Sequence, residues 1–512
     1  MESAQLRAEW LDWDGSRLRW RVHARANGIP ASALQLDGIV FERYAGIESD
    51  VHEFACEFAY SPSGRAELGF GVTGSGESAP AILPPWHVRL GEAVTAGANA
   101  SLLAADGLAP LAETPVLPSC ALCELPSVAV VVPIYNSAQS VQKCIAALLR
   151  WTGRVQIILV DDASTDARVG EILDAAARHA NILVHRNELN RGYTHSINVG
   201  MRLAGGADVV LLNSDTEVGP RWLPSLRLAA YAAETVGTVT AVSDNAGAFS
   251  VPELEQHCPI PSRWNLVQAQ RALLQQAGLC YPQLPTGNGF CMYVKRVVIA
   301  RIGPMDEVAF PAGYGEENDF CQRAERAGYR NIIAGNVLVH HERSASFGVA
   351  RRTELGTQGM QVLRERYPDY EHDVAATLHS FARRVLDYRV RRTYADPDGT
   401  YALHPPLPRL LIAADADDAG VERLLATLAA RHEGFLLRRE GEWVNLYRRV
   451  HATLRFERGV AIGMDVAALR QVENRLREWL LDYAIESVHA RGSAASDGWL
   501  AGLAAGLEIP TA

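Results

Sequence analysis

Cysteine is scarce in this chain, eight residues in 512, which leaves no basis for a disulfide scaffold. Cys120 and Cys123 form a lone CxxC with no second pair at zinc-ligand spacing. They sit in the Pro-rich stretch LPSCALCELPS, which reads as a linker. Lysine is scarcer still: Lys143 and Lys295 stand alone against a large excess of arginine, leaving little scope for lysine catalysis. No window approaches the roughly 18 unbroken apolar residues of a membrane span. The start, MESAQLRAEWLDWDG, is acidic and contains tryptophan, so it does not read as a secretory signal. Positive charge is in deficit; a formal net charge of −10 argues against a general nucleic-acid binder. These absences point to a cytoplasmic protein. What is present, 48% hydrophobic and 21% charged residues, is a globular composition. The length suggests about three domains.

Up to about residue 110 the apolar residues alternate. Leu18, Trp20 and Val22 keep one parity, as do Phe54, Cys56, Phe58 and Tyr60, and later Leu68, Phe70 and Val72. Period two, punctuated by SPSG, GSGES and LPPW, predicts an antiparallel, β-sandwich-like domain over residues 1–110. Residues 104–127, with four prolines, form the next linker.

At residue 128 the pattern changes to short continuous apolar runs: VAVVV (128–132), VQIILV (155–160), NILV (181–184), DVVLL (208–212) and VGTVTAV (236–242). Helical segments lie between them. One is Ser137 to Arg150, with Val141, Ile145 and Leu148 on one face; another is Asp166 to His179. Continuous strands joined by helices predict an α/β domain on a mostly parallel sheet, buried on both faces. Such sheets bind ligands at the carboxyl ends of their strands.

Polar residues gather at those ends. They are Pro133-Ile134-Tyr135-Asn136, Asp161-Asp162-Ala163-Ser164-Thr165-Asp166, Asn190-Arg191-Gly192-Tyr193 and Asn213-Ser214-Asp215. Helix capping accounts for Ser137, Ser164 and Thr165. It does not account for Asp162 and Asp215 together.

VAVVVPIYNS, ILVDDASTD, NELNRGYTHSINVG and LLNSDTEV, in this order, resemble the successive signatures of glycosyltransferase family 2, inverting enzymes of the GT-A (Rossmann-like) fold. The resemblance runs from about residue 126 to 370 and implies a catalytic domain over 126–395. It implies that Pro133, Tyr135, Asn136 and Asp162 surround a nucleobase, with Asn190 and Gly192 near the nucleoside and sugar. The fourth motif, Asp-x-Asp in the family, implies a site for divalent metal and diphosphate. Asn213 stands here where the first Asp is common, so the metal is expected on Asp215, with Asn213 an oxygen ligand or a donor to the sugar. With so few lysines, Mg²⁺ or Mn²⁺ would supply the charge that neutralises a departing nucleoside diphosphate.

The second constellation is GYGEENDFCQRAERAGYRNIIAGNVLVHHERSASFG. Clustered carboxylates raise one another's pKa and can poise one as a general base. Glu316 and Glu317 also fit the first turn of a helix, where the dipole favours acids. The family carries Glu-Asp-x-Asp here, which implies Glu317 as base, Asp319 as its orienter or the base itself, and Glu316 as secondary. The His-x-x-Ser-x-Ser-Phe run resembles an element in which one histidine completes the metal site. Counting back from Ser344 that is His341, with His340 extending the strand. VSDNAG (242–247) and LPTGNGFCMYVKR (284–296) resemble weaker family elements, the latter putting Gly287 and Gly289 beside the sugar. Trp222 and Trp264 are read as core.

Arg383, Arg384, Arg389, Arg391 and Arg392 make a basic segment: a solvated face, or a surface for an anionic or lipid-linked acceptor at a membrane. From residue 406 to 512 a strand–turn–helix and later a helix, a short strand and a helix resemble a truncated, Rossmann-like half of a GT-B glycosyltransferase. ADADDAG replaces its Gly-rich turn.

Together these imply a metal-dependent inverting glycosyltransferase using a UDP-, dTDP- or GDP-sugar. The acceptor would be a glycan or lipid-linked glycan of bacterial surface polysaccharide such as O-antigen, made at the inner membrane face. The alternative is a non-catalytic carbohydrate-binding or scaffolding protein. A sugar-phosphate nucleotidyltransferase would need a Gly-rich basic loop after the first strand, and PIYNSAQS has neither feature.

Overall fold

The structure, a computed structural model, describes the backbone of eight strands between residues 5 and 95. It also describes residue 122 and residues 125–511, apart from 255–256, 278–280, 343–348, 379–380, 396–406, 416–417, 419, 442, 463–465 and 492–498. Cys120, Cys123 and the SASFG run lie outside the described residues, as do the N-terminal side chains whose alternation was noted. The chain divides into two units. One comprises residues 1–114, 405–480 and 485–512, the other 115–404 and 481–484.

The early strands are β1 (Gln5–Trp13), β2 (Arg17–Arg25), β3 (Leu34–Leu36), β4 (Val40–Tyr44), β5 (Val51–Ala59), β6 (Ala66–Val72), β7 (Ser78–Leu83) and β8 (Val94–Thr95). Their mutual pairings are antiparallel.

The second unit is built on β9 (Val128–Ile134), α1 (Ala138–Trp151), β10 (Gln156–Asp161), α2 (Ala167–Ala176), β11 (Ile182–Arg186), α3 (Tyr193–Leu203), β12 (Asp208–Leu212), β13 (Thr216–Glu217) and α4 (Trp222–Ala230). There follow β14 (Val236–Ser243), α5 (Leu266–Gln276), β15 (Cys291–Val294), α6 (Arg296–Ile302), α7 (Glu316–Arg326) and β16 (Arg330–His341). Helices α8 (Val349–Arg366), α9 (Tyr370–Leu378) and α10 (Phe381–Ala395) close the unit. The sheet order is β11-β10-β9-β12-β15-β14-β16-β13. All seven residues of β9 and all five of β12 are buried, as continuous apolar runs require when helices cover both faces. Val131, Ile158, Val160, Val209, Leu211, Ile197, Met292 and Phe320 share one core, each such side chain contributing roughly 1.5–3 kcal/mol by burial.

The sheet is mixed rather than simply parallel. Strand β15 runs antiparallel to both β12 and β14, and β13 antiparallel to β16. Strands β9, β10, β11 and β12 are parallel, with β10 and β12 on opposite sides of β9. The connection therefore reverses direction between β9 and β12, which makes the loops after these strands the expected binding crevice.

In the first unit, β17 (Arg409–Ala414) lies parallel to β18 (Glu433–Glu440) and β21 (Ser487–Ala490), with α11 (Val421–Leu428) after β17 and α12 (Val466–Asp482) before β21. An antiparallel pair, β19 (Trp443–Val450) and β20 (Thr453–Ala461), extends the sheet, and β20 pairs with β4. Segments before residue 110 and after 405 thus share one ten-stranded sheet.

Candidate active site

The first two strand-end loops are knitted together by Asn136. Its Oδ1 accepts from the N–H groups of Thr165 (2.8 Å) and Asp166 (3.0 Å), while its own N–H donates to Ser164 Oγ (2.9 Å). Asn136 and Ser137 both hold positive φ, so Ser137 gives α1 no side-chain cap; Asp166 caps α2 instead. The expected cap at Ser137 yields to this clasp, which needs the left-handed turn. Pro133 is buried at the end of β9, and Tyr135 and Asn136 are half-buried just beyond it.

Asp162 is buried and faces the third loop. Its Oδ1 accepts from Arg191 N–H (2.9 Å) and Asn187 Nδ2 (2.8 Å), and its Oδ2 from Gly192 N–H (2.8 Å). Gly192 has φ +91°, and a Cβ there would run into the Pro311 carbonyl, so only glycine fits. Asn190 stands exposed on the same loop.

Beyond β12, Tyr193 donates its phenol to Asn213 Oδ1 (3.0 Å). Burial and the negative charges of Glu317, Glu316 and Asp215 push the Tyr193 pKa well above its usual range, so it remains a donor. Pairing of β13 with β16 sets Thr216 opposite His341 and brings His341 Nε2 to 3.3 Å from Asp215 Oδ1. His341 Nδ1 lies 2.9 Å from the Asn245 carbonyl, an obligate acceptor, so Nδ1 carries the proton. Its Nε2 faces the Asp215 carboxylate. The carboxylate oxygen suits Mn²⁺ or Mg²⁺, and the imidazole nitrogen favours Mn²⁺ of the two. Among the described residues no group of three or more His, Cys, Asp and Glu gathers to hold a metal. His340 turns elsewhere: its Nδ1 meets Asp244 Oδ2 at 2.6 Å, and that hydrogen bond raises its pKa.

The three carboxylates of α7 meet three different fates. Asp319, fully buried, has Oδ2 on Arg323 (2.8 Å) and Oδ1 on both Arg366 and Tyr367 (2.8 Å each). Glu317, half-buried, accepts from Gly289 N–H at 3.1 Å. Glu316 is 1% exposed, its Oε2 accepting from Gly315 N–H at 3.0 Å. Burial, the charge of Glu317 and a hydrogen bond with Glu317 hold the Glu316 pKa well above the carboxylate range. A Cβ on Gly289 would strike the Tyr193 hydroxyl, so Gly289 brings the backbone between that phenol and Glu317. Gly287 is buried against Met292 and Cys321 instead.

The fold therefore gathers Tyr193, Asn213, Asp215, His341, Gly289, Glu316 and Glu317 at one end of the sheet, and fixes Asn136, Asp162 and Gly192 in the adjoining loops. Trp222 and Trp264 are core residues. Tyr193 was named from sequence at a strand end but given no role, and Arg366 and Tyr367 were not singled out. Tyr193 follows a motif glycine, a usable hint, whereas the two Asp319 partners lie 47 and 48 residues away with no local signal.

Residues 129–302 match the family model Glycosyl transferase family 2. Among curated relatives, Glycosyltransferase GlyG of Streptococcus pneumoniae serotype 4 is 36% identical over 101 residues, 19% of this chain and 33% of that one. An undecaprenyl-phosphate 4-deoxy-4-formamido-L-arabinose transferase of Pectobacterium carotovorum is 37% identical over 127 residues, 23% of this chain and 38% of that one. The chain thus spans about a third of these relatives' length. The crystal structure of GalNAc-T7 with UDP, GalNAc and Mn²⁺ aligns at TM-score 0.38 and 16% identity, covering 56% of this chain and 59% of that one. Residues 129–302 thus resemble a glycosyltransferase family 2 domain, on an α/β fold with a mixed sheet.

Proposed function

We propose that this protein is a metal-dependent inverting glycosyltransferase. It moves a sugar from a UDP-, dTDP- or GDP-linked donor to a hydroxyl of a glycan or lipid-linked glycan in bacterial surface polysaccharide. The observation that carries this reading is the half-buried Glu317 carboxylate, set beside the Tyr193–Asn213 pair at the ligand-binding end of a family 2 domain. Glu317 takes the proton of the acceptor hydroxyl as its oxygen bonds to the anomeric carbon. The bond to the nucleoside diphosphate breaks in line, and the leaving group keeps the electron pair. Asp319, already held by two arginines and a tyrosine, anchors α7 rather than serving as base. Pro133, Tyr135, Asn136, Asp162, Asn190 and Gly192 frame the nucleoside, Asn213 and Asp215 the sugar and diphosphate, and Gly287 supports the loop leading to Gly289.

Asp215 and His341 would hold Mn²⁺ or Mg²⁺, which when bound neutralises charge developing on the diphosphate. The domains in this reading are 1–110, 126–395 and 406–512, the last resembling half of a GT-B enzyme without its own activity. Among the described residues no helix is long and apolar enough to cross a membrane. In this reading a lipid-linked acceptor would be met peripherally, from the cytoplasm. In the basic segment, Arg383 is buried on the Ala248 and Ser250 carbonyls and Arg391 pairs with Glu253, so at least these two are tied into the fold.

The test is nucleoside diphosphate release from a panel of UDP-, dTDP- and GDP-sugars with Mn²⁺ and with chelator, alongside Glu317→Gln. Metal-dependent release from one donor, lost in the variant, is expected. No release together with no nucleotide binding would point instead to a carbohydrate-binding scaffold.

A further inference from the structure

We propose that the C-terminal sheet carries a saccharide-binding site of its own, which holds a neutral pyranose unit of a glycan on Trp443, Tyr447 and Phe456. The site lies within the first unit and stands apart from the reading of Glu317 as base.

Strand register brings its residues together. Across β18, β19 and β20 the facing rows run Leu436–Tyr447–Phe456, Arg438–Asn445–Gly459 and Glu440–Trp443. Cross-strand partners share a side of the sheet, and the irregularity between Leu446 and Tyr447 keeps Phe456 and Gly459 on the same face. Leu436 and Tyr447 pack on that face with the α11 core. The rows beyond them lie toward the carboxyl end of β18, where parallel strands present ligand sites. Tyr447 and Phe456 meet edge to face at 5.9 Å. Both rings and that of Trp443 are half-buried, so each keeps some surface at solvent.

The polar groups among these rings are only partly used. Glu440 Oε2 accepts from Asn445 Nδ2 and from the Tyr447 hydroxyl, at 2.6 Å each. Burial and the bond to Glu440 push the Tyr447 pKa up, so the phenol stays a donor. With Nδ2 committed to a carboxylate, Oδ1 is the end of the Asn445 amide left over. Asn445 is 6% exposed, and its Oδ1 has no hydrogen-bond partner among the described residues. The same holds for Nε of Arg438, its direct neighbour across the strands. An acceptor and a donor left unmade side by side are costly. One hydroxyl satisfies both, accepting from Nε and donating its own proton to Oδ1. Arg438 is half-buried on a flexible stem and turns outward to admit it, and Gly459, third in the row, has no side chain to fill the gap.

A pyranose matches this combination. Its C–H face is apolar and lies flat on aromatic rings, while its hydroxyls donate and accept around the rim. The charges disfavour an anion, because the Glu440 carboxylate stands in the row next to the Arg438 guanidinium and cancels its attraction.

Saturation-transfer NMR and titration calorimetry of the full chain test this with the methyl pyranosides of glucose, galactose, mannose, rhamnose and N-acetylglucosamine. At least one should bind, and the folded Trp443→Ala and Asn445→Ala proteins should bind it about tenfold more weakly. Should Asn445→Ala not fold, Arg438→Gln removes the donor of the same pair and should show the same loss. Binding should persist in Glu317→Gln whatever becomes of turnover there, which separates this site from the proposed catalytic cleft. No binding by any of the five sugars would leave the Arg438–Asn445 gap to a water and overturn the inference. Binding that survives both Trp443→Ala and Asn445→Ala comes from elsewhere and overturns it equally.

Discussion

Tyr193 donates to Oδ1 of Asn213 across 3.0 Å, and this bond fixes which way the amide is turned. With Oδ1 engaged, Nδ2 is the end left to donate toward the cleft. On the proposed reading, asparagine in place of the more common aspartate serves as a hydrogen-bond donor with its orientation fixed. Tyr193→Phe frees the amide to rotate. Affinity for the nucleoside diphosphate that binds should fall roughly three- to tenfold, the worth of one neutral hydrogen bond, as titration calorimetry would read. Unchanged affinity would place Asn213 away from the ligand.

Asp319 tests the division of labour along α7. Asp319→Asn leaves Arg323 and Arg366 without their carboxylate. Breaking a buried pair in this way costs about 3–5 kcal/mol. The melting temperature should drop by several degrees, and Arg366→Ala should lower it in the same direction. Nucleotide affinity of the folded protein should hold. A variant of normal stability and no turnover would instead return the role of base to Asp319.

Glu316 links stability to pH. Its folded pKa lies well above the unfolded value near 4.5, so over that window the native state keeps a proton that the unfolded state has lost. Its contribution to stability therefore declines as pH rises from the unfolded pKa toward the folded one. Glu316→Gln removes this term. Relative to wild type, the variant should gain stability between pH 5 and pH 8 in parallel thermal melts; a constant difference would mean Glu316 is ionised throughout.

Gly192→Ala should be among the more harmful small substitutions. It combines a positive φ with a collision against the Pro311 carbonyl, strain on the order of 1–3 kcal/mol. Because Gly192 N–H also binds Asp162, the third loop should shift with it. Lower thermal stability together with weaker nucleotide binding is expected, whereas Gly153→Ala, with positive φ but open space, should lower stability alone.

The strands and helices between residues 128 and 243 could be read closely from apolar runs, because a strand buried on both faces leaves a continuous signature. The antiparallel insertion of β15 could not, since CMYV is as apolar as the strands on either side of it and direction leaves no mark on composition. At the site, sequence located the carboxylates of α7 and put Glu317 ahead of Glu316, but left Glu317 and Asp319 unseparated. Asp319 differs from Glu317 through Arg366 and Tyr367, whose approach is a tertiary event. The choice between His340 and His341 was a matter of spacing; in the structure, alternation along β16 turns one toward Asp244 and the other toward Asp215. Ser137 misled in the opposite direction, because a good capping residue was used for a left-handed turn.

The reversed direction of β15 also bears on how the protein is made. Because the strand runs backward, the segment that reaches the ligand end of the sheet is the one synthesised just before it, residues 286–290. As the chain leaves the ribosome, the nucleoside loops and the Gly289 amide are therefore complete while Glu317 and His341 are still to be translated. On the proposed reading, the growing polypeptide passes through an interval in which the loops assigned to the nucleotide exist and the carboxylate assigned as base does not.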